Sequence, residues 1–240
     1  MLTWHGPRAL AATALLLTAA GCGGTTSQGA TATPARSPSA SATAAATASP
    51  TPAPDNQQVA IVNSGFGAFD LQVYPIAVLH NLASTHTARE VIVSFTVKLS
   101  SGSYQIAAEP VSLAPGGTLG VTVLCTDSCE GATGIVATTK VGSWVAGGLG
   151  VIVGGAGSWT CGSPCAGSRG YQGDVTGTLS GDLAGMLVGL TAVCVSSGGA
   201  IVGGGLVSTV WPDAASAPAS VPALVTAQPA SCQLYGTEVS

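Results

Sequence analysis

The feature that most constrains the fold is a run at residues 91–99 in which apolar and polar side chains alternate. One face of this run would carry five apolar residues: Val91, Val93, Phe95, Val97 and Leu99. Successive side chains of a β-strand point to opposite faces, so the pattern predicts a half-buried strand. A Ser-Ser-Gly turn follows at 100–102, and residues 103–108 are expected to return as the second strand of a hairpin.

Turn signals punctuate the rest of the first half in the same way. The Pro-Gly-Gly sequence at 115–117 precedes another alternating run at 119–123, and the runs at 59–62 and 71–79 also predict strands. Residues 57–149 show no helical period with capping residues. Short strands separated by turns predict an all-β fold of antiparallel β-sandwiches.

The second half repeats this plan. A strand is expected at 188–195 and its return at 200–210, joined by a turn that begins at Ser196, 96 residues after the turn at Ser100. The similar segments YPIAVLHNL and YQGDVTGTL lie 97 residues apart. Two landmarks at nearly one offset indicate a tandem duplication.

We therefore expect two β-sandwiches in tandem, the first at residues 58–147 and the second at 148–240. The glycine-rich stretch at 147–157 lies at the boundary, either as a linker or as a strand of one domain.

The N-terminal residues 1–21 have the organisation of a secretory signal. Arg8 supplies a positive charge, and the apolar run at 9–20 is too short for a transmembrane helix. The end of this run, LLLTAAGC, resembles the lipobox of bacterial lipoproteins, in which a cysteine is lipidated and becomes the first mature residue. Cys22 stands at that position, although Ala19 occupies a place where leucine is usual. The resemblance implies a membrane anchor on Cys22; the alternative is an ordinary secretory signal that ends near a cysteine.

Residues 22–57 are predicted to form a disordered linker. After Cys22 they are almost entirely Gly, Ala, Ser, Thr, Pro and Gln, with Arg36 as the one charge before Asp55. Such a segment cannot bury enough apolar surface to offset its ordering entropy, and its prolines favour extended conformations. Its composition would suit O-glycosylation but does not establish it.

Charge excludes one class of partner. Only 7% of the residues are charged, and beyond Cys22 ten acidic residues outnumber the basic ones. The absence of a basic patch argues against nucleic acid as a partner. The uncharged stretches at 141–159 and 183–211 are interrupted by glycines and lack flanking Lys/Arg clusters, so they favour strands and turns over membrane spans.

Six cysteines remain beyond Cys22, and an even number in an exported protein points to disulfides. Six cysteines allow 15 pairings. Their spacing suggests two local C-x3-C loops and one longer bridge: Cys125–Cys129, Cys161–Cys165 and Cys194–Cys232. Zinc binding by the C-x3-C pairs is the alternative, although no histidine stands near them.

A family resemblance supports the fold prediction. The run LTAVCVSSGGAIVGGG at 190–205 is similar to the central hairpin of FxLYD-type immunoglobulin-like domains of bacterial lipoproteins, which have an apolar strand, a Tyr-Asp-x-x-Gly turn and a Val-Val-Gly-like return. Residues 231–235 (SCQLY) suit the last strand of such domains, and residues 95–99 (FTVKL) retain the phenylalanine. Both copies lack the Tyr-Asp pair. The resemblance implies immunoglobulin-like, extracytoplasmic modules without known catalysis.

Candidates for chemistry are few. His80 and His86 stand close together near the end of a predicted strand; His80 could serve as a general base, or the pair could belong to a surface loop. No G-x-S-x-G motif is present, and no acid has a spacing that singles it out as a partner. The acidic residues near turns, Asp127, Glu130, Asp174 and Asp182, lack the repeated spacing of a calcium loop and are expected to be solvated.

Three tryptophans are possible binding aromatics: Trp144 and Trp159, each in a Gly-Ser-Trp sequence, and Trp211. Packing in the core or between domains is the alternative. The sequence thus predicts a membrane-anchored lipoprotein that binds an unknown protein or glycan in the cell envelope without a cofactor. The alternative is an envelope hydrolase with a site around His80 and His86.

Overall fold

A computed structural model describes residues 55–150 and 152–239, and every strand pairing in them is antiparallel. The predicted all-β class is confirmed. These residues form one short 3-10 turn, Asp127–Cys129, and fourteen strands: β1 (Val59–Phe69), β2 (Gln72–Asn81), β3 (His86–Leu99), β4 (Gly102–Ala107), β5 (Val111–Leu113), β6 (Thr118–Thr122), β7 (Ala132–Lys140), β8 (Ser143–Ala146), β9 (Ile152–Ala166), β10 (Tyr171–Gly181), β11 (Leu187–Val195), β12 (Ile201–Val210), β13 (Ser216–Val225) and β14 (Ser231–Glu238).

The strand predicted from the alternation at 91–99 is the C-terminal part of β3, the longest strand of the first half. Its apolar face is fully buried from Val91 to Val97 and half-buried at Leu99, and β4 and β7 flank it as hydrogen-bonded neighbours. The N-terminal part of β3 pairs instead with β5 and β8. The exchange of partners coincides with a register shift between Ala88 and Val91, where Glu90 has a positive φ of 52°. One bulge therefore lets a single strand serve two sets of neighbours.

A second sheet, in the order β1-β2-β6, packs against β3. Leu79 of β2 and Val121 of β6 meet Val91 and Phe95 of β3 in a shared core. The two sheets with this core form the sandwich of the first half.

The second half closes on itself in the order β10-β13-β12-β11-β14-β9, because β9 pairs with both β10 and β14. Its core includes Val175, Leu190, Trp211 and Leu234. The predicted hairpin at 188–210 is confirmed as β11 and β12. Glycines at 203–205 of β12 are buried, and a side chain at Gly205 would meet the carbonyl oxygen of Pro222. Small residues here allow the strands to curve until the sheet closes.

The central strand of the β1-β2-β6 sheet, β2, is buried on both faces, since the second half covers the face that the first core leaves free. Ile76 and Val78 of β2 pack against Val193 of β11 and Ile201 of β12. A side chain at Gly120 of β6 would come within 2.7 Å of Val193. The described residues belong to one compact unit. Independent folding of residues 58–147 and 148–240 stays a prediction.

The glycine contact between the halves generates the first prediction. A Cβ at Gly67 of β1 would lie 2.8 Å from the carbonyl carbon of Leu224 and 2.9 Å from Cα of Gly203. We expect Gly67→Ala to destabilise the protein by about 1–3 kcal/mol, the usual cost of overpacking. Urea denaturation measures the change.

The matched control is Gly134→Ala on β7, where the nearest atom to an added Cβ is the flexible Lys98 Cδ at 3.9 Å. Glycine in a strand has excess conformational entropy when unfolded, so this control should be neutral or slightly stabilising. Equal urea midpoints for the two variants would contradict the assigned close approach of β1 to β12 and β13.

Candidate functional site

The six cysteines beyond Cys22 lie in three pairs, and the pairs are those that the spacing suggested. The Cα–Cα distances are 5.7 Å for Cys125–Cys129, 5.1 Å for Cys161–Cys165 and 4.0 Å for Cys194–Cys232. The last pair joins directly opposed positions of β11 and β14 inside the second core. In the described part of the chain, no group of three or more His, Cys, Asp or Glu side chains could hold a metal ion.

The pairs differ in what they contribute. The Cys194–Cys232 loop of 38 residues is worth about 4 kcal/mol in the chain-entropy model, whereas a separation of 4 residues is worth about 2 kcal/mol. Both sulfurs of the first and third pairs are buried, whereas Cys161 is exposed and Cys165 is half-buried. The Cys161–Cys165 loop is therefore the surface disulfide.

Asn81, a residue that the sequence did not single out, organises the loop between β2 and β3. Its side chain is fully buried, and its amide nitrogen donates to the carbonyl oxygens of His86, Leu113 and Ala114. Its side-chain oxygen accepts from the backbone N–H of Ala83 at 3.0 Å. A buried amide with its hydrogen bonds satisfied holds one geometry, so Asn81 sets where His86 lies.

His86 lies against Asp55, the first described residue, and Nδ1 of the imidazole is 2.6 Å from Oδ2 of the carboxylate. The same carboxylate accepts from the backbone N–H of Ser84 at 2.6 Å and from the hydroxyls of Ser84 and Thr85, each at 2.9 Å. We call this cluster of Asp55, Ser84, Thr85 and His86 the entry latch, because it ties the start of the folded part to the β2–β3 loop.

The electrostatics of the entry latch follow from these bonds. The backbone N–H of Ser84 is the largest cause that holds the pKa of Asp55 well below its ordinary value of 3.8. Partial desolvation opposes this shift, and the His86 imidazole and the two hydroxyls add to it. Hydrogen bonds to the ionised form stabilise that form, so Asp55 is a carboxylate at neutral pH.

The two histidines do not share a site. His80 lies on β2, and its Nδ1 is 3.0 Å from the hydroxyl oxygen of Thr118 on β6. In a Ser-His-Asp triad the serine hydroxyl bonds the imidazole nitrogen opposite the one that faces the carboxylate. The Ser84 hydroxyl instead donates to Asp55. The entry latch therefore contains the three residue types of a triad. Its hydrogen bonds connect both the serine and the histidine to the carboxylate, and they hold the β2–β3 loop in place.

The tryptophans are divided between core and half-buried positions. Trp211 is only 2% exposed, and its indole N–H donates to the carbonyl oxygen of Ala214 at 3.1 Å, so the core-packing alternative describes it. Trp144 packs at the margin of the first core and Trp159 at the margin of the second. A binding role for the half-buried pair stays a prediction.

Surface depressions follow the contact between the halves. The apolar one, lined by Val111, Val121 and Leu206, has a volume of about 130 Å³, below the ~300–1,000 Å³ of usual ligand pockets. A depression of about 310 Å³ lies between β6 and the strands β9 and β14. Another, of about 320 Å³, is lined by Gln72, Tyr74 and Asp174. Tyr74 begins the repeat segment YPIAVLHNL, and nothing in the sequence indicated that it lines a cavity.

The remaining acidic candidates lie apart from these sites. Asp127 and Glu130 line a shallow depression of about 530 Å³ beside Arg169, and both side chains are exposed, as expected of solvated turn acids. Cys22 lies outside the described residues. Among the described residues, no helix is long and apolar enough to cross a membrane.

The entry latch generates a pH-dependent prediction. Because the folded pKa of Asp55 is depressed, its stabilising contribution is present above the ordinary value of 3.8 and is lost as the pH falls below it. We expect Asp55→Asn to lower the urea midpoint at about pH 7. The difference in midpoint between the variant and wild type should become smaller below about pH 4.

Asp213→Asn is the matched control, since Asp213 is exposed and lies in the loop before β13. It should leave the midpoint unchanged at either pH. If the difference in midpoint between Asp55→Asn and wild type stayed constant down to about pH 2, the charge of the carboxylate would not be the source of the stability that the entry latch provides.

Comparison with protein-family models finds no match to this chain, and comparison with curated proteins finds none either.

Proposed function

We propose that this protein is a lipoprotein anchored in the cell membrane through Cys22, and that its folded part is a non-catalytic binding module on the extracytoplasmic face. The observation that carries the proposal is the pairing of all six cysteines beyond Cys22. Disulfides persist in oxidising compartments outside the cytoplasm, so this pairing accords with the lipobox-like sequence. The membrane is then the first partner, and an envelope protein or glycan is the second.

The position of the entry latch supports a tethered arrangement. The last three residues of the predicted linker, 55–57, belong to the described part, where the carboxylate of Asp55 accepts from Ser84 and Thr85 and contacts His86. Tension on the linker would be transmitted through Asp55 to the β2–β3 loop, and from that loop through Asn81 to the first core. A structural use for His86 and Asp55 also favours binding over catalysis as the role of this protein.

The anchor is tested by Cys22→Ser. Two or more acyl chains give stable membrane attachment, so we expect the wild type in the detergent phase of a phase-separation experiment and the variant in the medium or unprocessed. Cys161→Ser, which changes a cysteine of the surface disulfide, controls for general effects of cysteine loss. Wild type and Cys22→Ser in the same aqueous phase would refute the anchor.

An envelope hydrolase is the alternative, and the 2.6 Å contact of Asp55 with His86 is the observation that favours it. A carboxylate that orients an imidazole is one half of a general-base system, to which a substrate or water would supply the remainder. The proposed binding module predicts that His80→Ala/His86→Ala complements a deletion strain as well as wild type does.

Thr85→Val is the control for this variant, because it weakens the entry latch without removing an imidazole. Loss of complementation in the double histidine variant alone, with its circular dichroism spectrum unchanged, would favour the hydrolase.

A further inference from the structure

The face of β2 that meets the second half changes character along the strand. Side chains two residues apart share a face, so Gln72, Tyr74, Ile76 and Val78 point the same way. Ile76 and Val78 are closed against Val193 and Ile201. At the other end Gln72 is exposed and Tyr74 half-buried. The contact between the halves therefore opens there into the depression of about 320 Å³, which we call the Tyr74 depression.

The opposite wall comes from the paired strands β10 and β13. Gln172 and Asp174 share the outer face of β10, where they oppose Leu224 and Pro222. Gln172 is held in place, since its amide nitrogen donates to the carbonyl oxygen of Pro164 at 2.9 Å. Pro164 lies within the loop that the Cys161–Cys165 disulfide closes. The surface disulfide thus braces one side of the depression.

Small residues form much of the wall contributed by the second half. Gly162 and Gly173 line it together with the short side chain of Ala223. On the other face of β10, a Cβ at Gly173 would lie 2.9 Å from the Trp159 ring, so glycine there lets β10 pack closely against Trp159. This wall therefore consists largely of backbone.

The chemistry of the lining limits the ligand. Asp174 is the one charged residue among those that line the Tyr74 depression, so a phosphate or carboxylate ligand would find no compensating cation. Two amides, one carboxylate and a phenol supply both donors and acceptors. Burial raises the pKa of Tyr74, so its hydroxyl stays protonated and can donate as well as accept.

A saccharide matches this combination. Each sugar hydroxyl both donates and accepts hydrogen bonds, as do the amides and the phenol, and the carboxylate accepts from two neighbouring hydroxyls. The C–H face of a sugar ring is apolar and can pack on the ring of Tyr74 and on Pro222. The volume lies at the lower end of the ~300–1,000 Å³ usual for small-molecule sites, as a single sugar unit with its neighbours outside requires.

We propose that the Tyr74 depression, framed by Gln72, Tyr74, Gln172 and Asp174, is the binding site of this module and takes one unit of a neutral saccharide chain. This inference rests on the proposed binding function and names its ligand class. A chain of sugars would continue out of the open depression across either half.

The test uses the full-length lipoprotein in detergent. An array of neutral oligosaccharides, with glucose, galactose, mannose and N-acetylhexosamine units, identifies the best binder, which is then titrated by calorimetry. We expect Gln72→Ala and Asp174→Ala each to weaken binding at least tenfold. Both side chains are exposed, so both variants should fold, and unchanged melting temperatures verify this. Gln105→Ala and Asp213→Ala, exposed and remote from the depression, should bind as wild type does.

Each other outcome overturns the inference. Absence of any binder on the array excludes the ligand class, and wild-type affinity in both the Gln72→Ala and the Asp174→Ala variant excludes the site. Capture of a protein through the same side chains, without saccharide binding, would assign the depression to a protein partner instead. Detergent-phase partitioning of the same preparation keeps the two proposals distinguishable. A wild type that is lipid-anchored but binds no sugar refutes only the saccharide site.

Discussion

The structure depends on a sheet that is apolar on both faces. In β2, Leu79 points into the first core while Ile76 and Val78 point toward the second half. Such a sheet cannot be left with one face in water, so each half supplies a cover for it. The cover fits because glycine stands where the backbones meet, as at Gly67 of β1 and Gly204 of β12. Side chains at these places would hold the layers apart.

The polar side chains of β2 that the apolar packing does not use lie at the two ends of the strand. At one end, Asn81 fixes the loop that carries Ser84 and His86, and Asp55 closes the entry latch over it. At the other end, Gln72 and Tyr74 line the depression between the halves. A polar group at the end of a buried strand can reach water, and it can also meet a ligand or a linker. The proposed attachment and the proposed binding site would therefore lie at opposite ends of one strand.

The sequence predicted best where the pattern is local. The alternation at 91–99 identified β3, because one face of that strand is buried and the other is not. The strand β11 alternates poorly for the opposite reason, since nearly all its residues are buried on one side or the other. Because of the same two-sided burial, the sequence pattern did not predict the closed strand order of the second half. That order requires β9 to pair with both β10 and β14.

By itself, the sequence determined the all-β class and the two Ser-Ser-Gly hairpins, and the cysteine spacing suggested the pairing that the structure then showed. Each of these depends on residues near one another in the chain or on a two-residue period, and such signals survive without knowledge of the fold. Only the tertiary structure decided that Asp55 reaches His86, that Trp211 is a core residue and that Tyr74 and Asp174 line one depression. Those relations join residues as much as 100 positions apart along the chain. They exist because an apolar sheet had to be covered from both sides, and the cover brought distant polar groups together at its edges.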